Sequence, residues 1–590
     1  MNQEARNCQN CHKEFTIEPE DFDFYRKINV PPPTWCPECR LIRRLTWRNE
    51  RSLCKRKCDL CAKEIVSMHL PDAKFPIYCK SCWLSDGWDP LTYQQEYDQN
   101  KPFLDQFFQL ESKVPQVALV QYSQNENAEF SNFVRNTKNI CLAYSAVDSE
   151  NVAYSSNITD LKDCFDVLYL QKSELCYENI DGSGNYRSAF LHNSHGCVES
   201  SFLFDCANCK NCFMSSGLRN KSYVFRNKQL TKTDYEAQVG KINLGSYETL
   251  RQMEEEYRKI AVGSLHKFSN QTKASDCTGD NIWNSKNVTS GFGVHEVENV
   301  KFVGRAFNLK DSYDIYGSSG KELNYESVVT GWSTSKTAFC TDSDAAREMR
   351  YCHWCHSSSN LFGCIGLRSK QYCILNRQYT KEEYEALVPK IIEQMNAMPY
   401  VDARGRVYKY GEFFPPELSP FAYNEALSQE YFPLTKKDAI ERGYRWRDLD
   451  AKSYTITKEP ENLPDQIKDI DESVLKETIG CLHGGDCNDQ CTTAFRIIPE
   501  ELAFYRKIKL ALPRLCPNCR HYERLKQRNP LKLWHRKCVC VGAASQGGVY
   551  QNTAAHPHGT NSCPNEFETS YAPDRPEIVY CESCYNSEIA

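Results

Sequence analysis

Mostly apolar or cysteine side chains recur along the middle of this chain at steps of 11 or 12 residues: Ile140, Val152, Cys164, Leu175, Tyr186 and Cys197, then Val288, Val300, Ser312 and Leu323. So regular a step leaves little room for an ordinary globular core, because each unit must stack on its neighbours to bury its apolar side. Short strand-like pieces such as KNICLAY, ENVAYSS and KDCFDVLY carry these positions, with Asn and Asp where the chain turns. Two steps, about 22 residues, make one coil of a β-solenoid. A β-sandwich with regular hairpins is the alternative.

Two duplications organise the rest. Residues 15–49 match 495–529 at an offset of 480, with 18 identities in 35 positions, including FYRKI and the CP.CR knuckle. In the centre, GLRNKSYVFRNKQLTKTDYE from Gly217 matches GLRSKQYCILNRQYTKEEYE from Gly366 at an offset of 149. Each central copy leads into a helical pattern: Thr380 with Glu383 fits a capping box, and Thr231 precedes a charged helix expected near 232–262. Such helices would cover solenoid ends, which otherwise expose unpaired strand edges.

Cysteine supplies the second constraint. Cys8 and Cys11 with Cys36 and Cys39, then Cys58 and Cys61 with Cys79 and Cys82, form two CxxC pairs of pairs. Four thiolates at about 2.3 Å fill a tetrahedral zinc shell and leave no position for water, so both are expected to be structural zinc ribbons, with ligands interleaved between the quartets as the alternative. The C-terminal copy departs from this spacing. There Cys487 and Cys491 pair with Cys516 and Cys519, and the last quartet is read as Cys538, Cys563, Cys581 and Cys584, with Cys540 as the replacement candidate. Val541 stands where Cys61 would be, and Cys563 lies in a 22-residue insertion beside His556 and His558. Cys54 and Cys481 have no partner at ligand spacing, although Cys481 with His483 is a weak alternative set. About four structural Zn2+ ions are expected, each supplying on the order of 10 kcal/mol of folding free energy.

The expected fold is mostly β: a duplicated, Cys-rich parallel β-solenoid flanked by small zinc-ribbon modules at both ends, with a few capping helices. The expected division is a tandem zinc-ribbon module over 1–95, a helical linker over 96–126 and a solenoid half over 127–228. A helical insert (229–265), the second solenoid half (266–378), a capping helix (379–400), an extended Pro-rich tether with one short helix after Thr435 (401–478) and a second zinc-ribbon module (479–590) follow. A chain of 590 residues exceeds one core, which agrees with several units.

The stretches FTIEPEDFDFYRKINVPPPTWCPECRLIRRLTWRNERSL, GEFFPPELSPFAYNEALSQEYFPLTKKDA and NEFETSYAPDRPEIVYCESCY, together with the Cys-rich repeats, resemble a family of Cys-rich, zinc-ribbon-containing proteins encoded in candidate-phyla bacterial genomes, for which no activity is established. The resemblance covers nearly the whole chain and implies architecture only.

No stretch of about 18 apolar residues appears, so no membrane partner is expected. The N-terminus has no apolar leader pattern, and CxxC pairs favour zinc over disulfides in a reducing compartment; the expected location is cytoplasmic. With a net charge of -5, any basic surface must be local. Arg40 to Lys57 holds eight basic residues and one acid, and Arg520 to Lys537 holds seven and one. On a helix, Arg40, Arg44 and Arg48 fall on one face, as do Arg520, Arg524 and Arg528. Arginine makes bidentate phosphate contacts, and Trp47 and Trp534 can stack on unpaired bases, so RNA or single-stranded DNA is the expected partner, through Arg40, Arg43, Arg44, Arg48, Trp47, Arg520, Arg524 and Arg528. The same stripe can instead dock on the acidic remainder of the chain or on a protein partner.

The remaining motifs favour no enzyme. CANCKNC (Cys206, Cys209, Cys212) lacks the fourth ligand of an iron-sulfur run, and CHWCH (Cys352 to His356) meets the c-type haem spacing without an export signal. His192 and His195 near Cys197 lack an orienting third group. Asp160, Asp163, Asp166, Asp311 and Asp314 supply carboxylates for a β-helix carbohydrate hydrolase or lyase, yet turns place Asp there for backbone reasons alone. The expected function is a zinc-binding, non-catalytic protein contacting RNA, single-stranded DNA or a ribonucleoprotein. A protein-protein scaffold is the first alternative and the β-helix hydrolase or lyase the second.

Overall fold

The computed structural model describes residues 2–448, 455–541 and 550–589. The expected tether and both terminal modules therefore each include positions outside the described residues. Two parallel β-solenoids occupy residues 121–229 and 271–378. Their register corrects the expected coil. Ile140 pairs with Val152 and Val152 with Cys164, and in the second half Val288 pairs with Val300 and Val300 with Ser312, always 12 residues on. One step is thus a complete turn, half the coil length inferred from the sequence.

A turn this short needs a corner every three residues. The backbone enters the left-handed region at Asn136, Asn139, Leu142, Ser145, Asp148 and Asn151, and this spacing continues through both halves. Three-residue sides and a 12-residue turn give a four-sided tube. Asn and Asp tolerate that conformation best, and here they also ladder: Asn127 donates to Asn139 (2.8 Å), Asn139 to Asn151 (3.0 Å) and Asn151 to Asp163 (2.8 Å). The residue after each corner points inward, where the bore admits Val, Ser, Cys, Ala, Ile and Leu. The true inward column runs Cys164, Cys176, Ser188, Ser200, Cys212, Val224. Leu175 and Leu323 sit at left-handed corners instead, and Tyr186 is 39% exposed.

Inward serines hold the turns together. Ser155 Oγ donates to Ala153 O at 2.8 Å and accepts the Val167 N–H of the next turn at 3.1 Å. Cysteine takes over the donor half of that role: Cys206, Cys209 and Cys212 donate to the carbonyls of Phe204, Ala207 and Lys210. Within the second half the register slips by one residue, Tyr325 pairing with Ala338.

Each solenoid closes identically. An antiparallel hairpin ends the stack, Ser222–Phe225 with Lys228–Gln229 and Gln371–Ile374 with Arg377–Gln378. A helix capped by Thr231 or by the Thr380/Glu383 box then packs Tyr235 on Tyr223 and Tyr384 on Tyr372. The expected helix over 232–262 is two, Lys232–Val239 and Tyr247–Gly263, parted by Gly240 and Gly245. The linker contains the helix Phe103–Glu111. The expected tether is not free: Tyr408, Phe413, Phe414 and Leu427 are buried, because its apolar residues pack between the N-terminal module and the second solenoid.

Candidate metal centres and the arginine clamp

Each ribbon is built on the same local geometry. A short hairpin carries the first ligand, and the second pair opens a helix, as Cys36 and Cys39 do at Pro37–Leu45. The thiol sulfurs of Cys8, Cys11, Cys36 and Cys39 lie within 4.8 Å of one another, as do those of Cys58, Cys61, Cys79 and Cys82, and those of Cys538, Cys563, Cys581 and Cys584. Four sulfurs around an ion at about 2.3 Å sit about 3.8 Å apart. The observed separations fit: 3.7 Å for Cys11 and Cys36, 3.9 Å for Cys61 and Cys79, 3.8 Å for Cys563 and Cys581.

The remaining quartet differs from the sequence expectation. Cys481, set aside as incidental, groups with Cys491, Cys516 and Cys519. Its sulfur accepts the Cys516 N–H at 3.2 Å, as Cys58 accepts from Cys79 and Cys538 from Cys581, so it occupies the position of the first cysteine of those quartets. Cys487 is the fifth thiol, 3.7 Å from Cys519. Hydrogen bonds from Cys36 and Cys39 pull the Cys8 thiol down and bonds from Cys481, Cys491 and Cys519 do the same for Cys516, while the same bonds push Cys39 and Cys519 up.

The arginines are not at the surface. Arg40, Arg43, Arg44 and Arg524 are at most 1% exposed, and Arg48, Trp47 and Arg520 at most 5%. Arg40 and Arg44 reach Asp314 at 2.8 and 3.2 Å, and Arg43 pairs with Glu326 and, at 2.9 Å, with Glu412. Arg524 pairs with Asp166 (2.9 Å) and Glu178 (2.7 Å), Arg520 with Asp166, and Arg528 with Asp181 (2.8 Å). Burial works against charge on Arg40 and Arg43, and the facing carboxylates more than restore it. Trp47 packs on Phe414 at 5.1 Å. The stripe read as a phosphate-binding face is therefore the inner face of an intramolecular joint: the solenoid corners offer Asp and Glu in register with the helix. Arg48 and Arg528 lie just beyond their helices, Pro37–Leu45 and Pro517–Gln527.

Both duplications meet in this joint. Phe24 stacks on Tyr313 at 3.9 Å, and Phe504, 480 residues on, stacks on Phe165 at 4.5 Å. Tyr25 edges Tyr325 as Tyr505 edges Tyr177, and Arg40 lies over Phe302 as Arg520 lies over Tyr154. Lys27 faces Asp311 and Lys507 faces Asp163. The N-terminal module thus clamps the second solenoid and the C-terminal module the first. The modules also touch, Lys532 pairing with Glu38 at 2.8 Å, so the ends of the chain meet. At the centre Glu50 accepts from Arg48 and Arg305; burial pushes its carboxyl up, but the two guanidinium groups hold it down at about 2. The FYRKI identity was the available clue, lacking only the matching spacing of Asp166, Glu178, Asp314 and Glu326.

The chain matches no protein-family model, and no curated protein matches it in sequence. Among the described residues, no helix is long and apolar enough to cross a membrane.

The other motifs resolve into core or corner. Cys352 and Cys355 are fully buried in the bore, which leaves no face for a porphyrin. Cys197 also points inward, donating to His195 O, while the His195 ring turns outward to Ser183 Oγ at 2.9 Å. Thiol and imidazole are thus on opposite sides of one wall. Asp160, Asp163, Asp166, Asp311 and Asp314 all occupy left-handed corners, and Asp166 and Asp314 are engaged by arginine.

Proposed function

We propose that this protein is a zinc-dependent, non-catalytic scaffold in which ribbon modules at the two ends lock two solenoids into one rigid body for protein partners. What supports the reading is the burial of Arg40, Arg43, Arg44, Arg520 and Arg524 against solenoid carboxylates, in two copies that use equivalent residues. Buried ion pairs contribute little net stability against apolar packing, but they penalise any other register, and fixing a register is what a clamp needs. Zinc gives each small module the rigidity to present its helix. Cysteine-only quartets suit a reducing, cytoplasmic compartment. RNA and single-stranded DNA lose the surface that recommended them, since those guanidinium groups face protein. The carbohydrate reading loses Asp166 and Asp314 in the same way.

The test is a double substitution, Arg44→Glu with Arg524→Glu, followed by small-angle scattering and by RNA binding across a salt titration. The scaffold reading expects an expanded, loosened particle and no steep salt-dependent RNA affinity in the parent protein. A parent that binds RNA with a steep salt slope, lost in a variant of unchanged dimensions, would restore the nucleic-acid reading.

A further inference from the structure

The last ribbon carries more ligands than one zinc ion needs. Beside the quartet of Cys538, Cys563, Cys581 and Cys584, a second group joins Cys540, His556, His558 and that same Cys584, again with all ligand atoms within 4.8 Å. His556 Nδ1 lies 3.5 Å from Cys540 Sγ, and His558 Nε2 lies 3.3 Å from Cys584 Sγ. The other nitrogen of each ring is committed to an acceptor. His556 Nε2 meets the Glu588 carboxylate at 2.8 Å, both side chains being fully buried, and His558 Nδ1 meets Asn561 O at 2.7 Å. An acceptor there fixes the proton on the outer nitrogen and leaves the inner nitrogen of each ring with its lone pair directed at the thiols. That is the arrangement of metal-ligating histidines, whose second nitrogen donates to a carboxylate or carbonyl. Glu588 also accepts the Thr553 and Ala554 N–H groups, tying the insertion to the C-terminal helix.

The N-terminal copy is the built-in comparison. Cys58 N–H donates to Lys63 O as Cys538 N–H donates to Asn565 O, which aligns Cys61 with Cys563. Between them the N-terminal ribbon has Leu60, 43% exposed, where this one has Cys540 followed by the insertion that brings both histidines.

We propose that this ribbon holds a two-zinc cluster: one ion on Cys538, Cys563, Cys581 and Cys584, the other on Cys540, His556, His558 and Cys584, with the Cys584 thiolate bridging. Both ions are four-coordinate and closed, so the cluster is structural and fastens the insertion.

Zinc quantified per chain in the intact protein tests it, by native mass spectrometry and elemental analysis. Five ions are expected, one beyond the four quartets, and His556→Ala with His558→Ala should lower the count to four. His558→Cys, which keeps a ligand, should retain five and guards against loss of fold in the alanine variant. Cadmium-113 substitution should show two resonances of this ribbon coupled to each other through the shared sulfur. Four ions in the parent protein, or an unchanged count in the double-alanine variant, would overturn the proposal.

Discussion

Replacing Arg524 by Met removes a charge from the C-terminal clamp while keeping an unbranched stem in the same space. Arg524 is fully buried, pairs with Asp166 and Glu178, and donates to Tyr154 O at 3.0 Å. Asp166 keeps Arg520 after the change, but Glu178 loses its ion-pair partner. Breaking a buried pair from one side costs about 3–5 kcal/mol. Two features put this site at the lower end: Glu178 is 17% exposed, and burial, opposed by Arg524, pushes its carboxyl up, so once Arg524 is gone it sheds its charge by protonation. About 3 kcal/mol is therefore expected, or roughly two orders of magnitude in the opening equilibrium of the docked helix. Hydrogen exchange of the amides in Pro517–Gln527 reads that opening directly. Glu178→Gln in the same chain should recover much of the loss. Exchange within about threefold of the parent protein would mean that Arg524 is not held in a buried pair, and the clamp argument would fail.

Other outcomes follow from the same geometry. Ser155→Ala strips a fully buried bridge between turns, leaving the Val167 N–H without its acceptor; about 1–3 kcal/mol should be lost in denaturant unfolding. Burial, opposed mainly by Arg51, pushes the Glu430 carboxyl up to about 7. Its folded pKa thus exceeds the unfolded value, so its contribution is complete below about pH 4.5 and is lost as pH rises through 7. Glu430→Gln should therefore flatten the stability profile between pH 5 and 8 by up to about 3 kcal/mol, and an unchanged profile would count against that burial. Strong chelation should melt the ribbon helices while far-ultraviolet circular dichroism retains the solenoid β signature, because the inward Ser and Cys ladder contains no ribbon ligand.

The solenoid was legible because a repeating unit prints its period on the sequence, but its coil was read at twice its length. A strand alternates every two residues and a helix every 3.6, whereas these sides repeat every three, a period visible only when Asn136, Asn139 and Asp148 are read as backbone corners. The N-terminal cysteine quartets stood out because CxxC spacing is local, and the structure gathers their sulfurs as that spacing suggests. Cys481 did not, since its equivalence to Cys58 lies in a hydrogen bond to Cys516 N–H. Of the arginine stripe only Arg40, Arg44, Arg520 and Arg524 lie on helices, and whether charge faces solvent or protein depends on partners far away in sequence, such as Arg40 and Asp314, 274 residues apart.

The most direct test of the clamp is arginine-selective modification of the zinc-loaded protein with phenylglyoxal, mapped by mass spectrometry. Arg40, Arg43, Arg44, Arg520 and Arg524 should stay unmodified while the exposed Arg258 and Arg347 react, and chelation should bring the protected set up to the rate of the exposed one. Modification of the stripe as fast as Arg258 while zinc is bound would contradict the account, because those guanidinium groups would then face solvent.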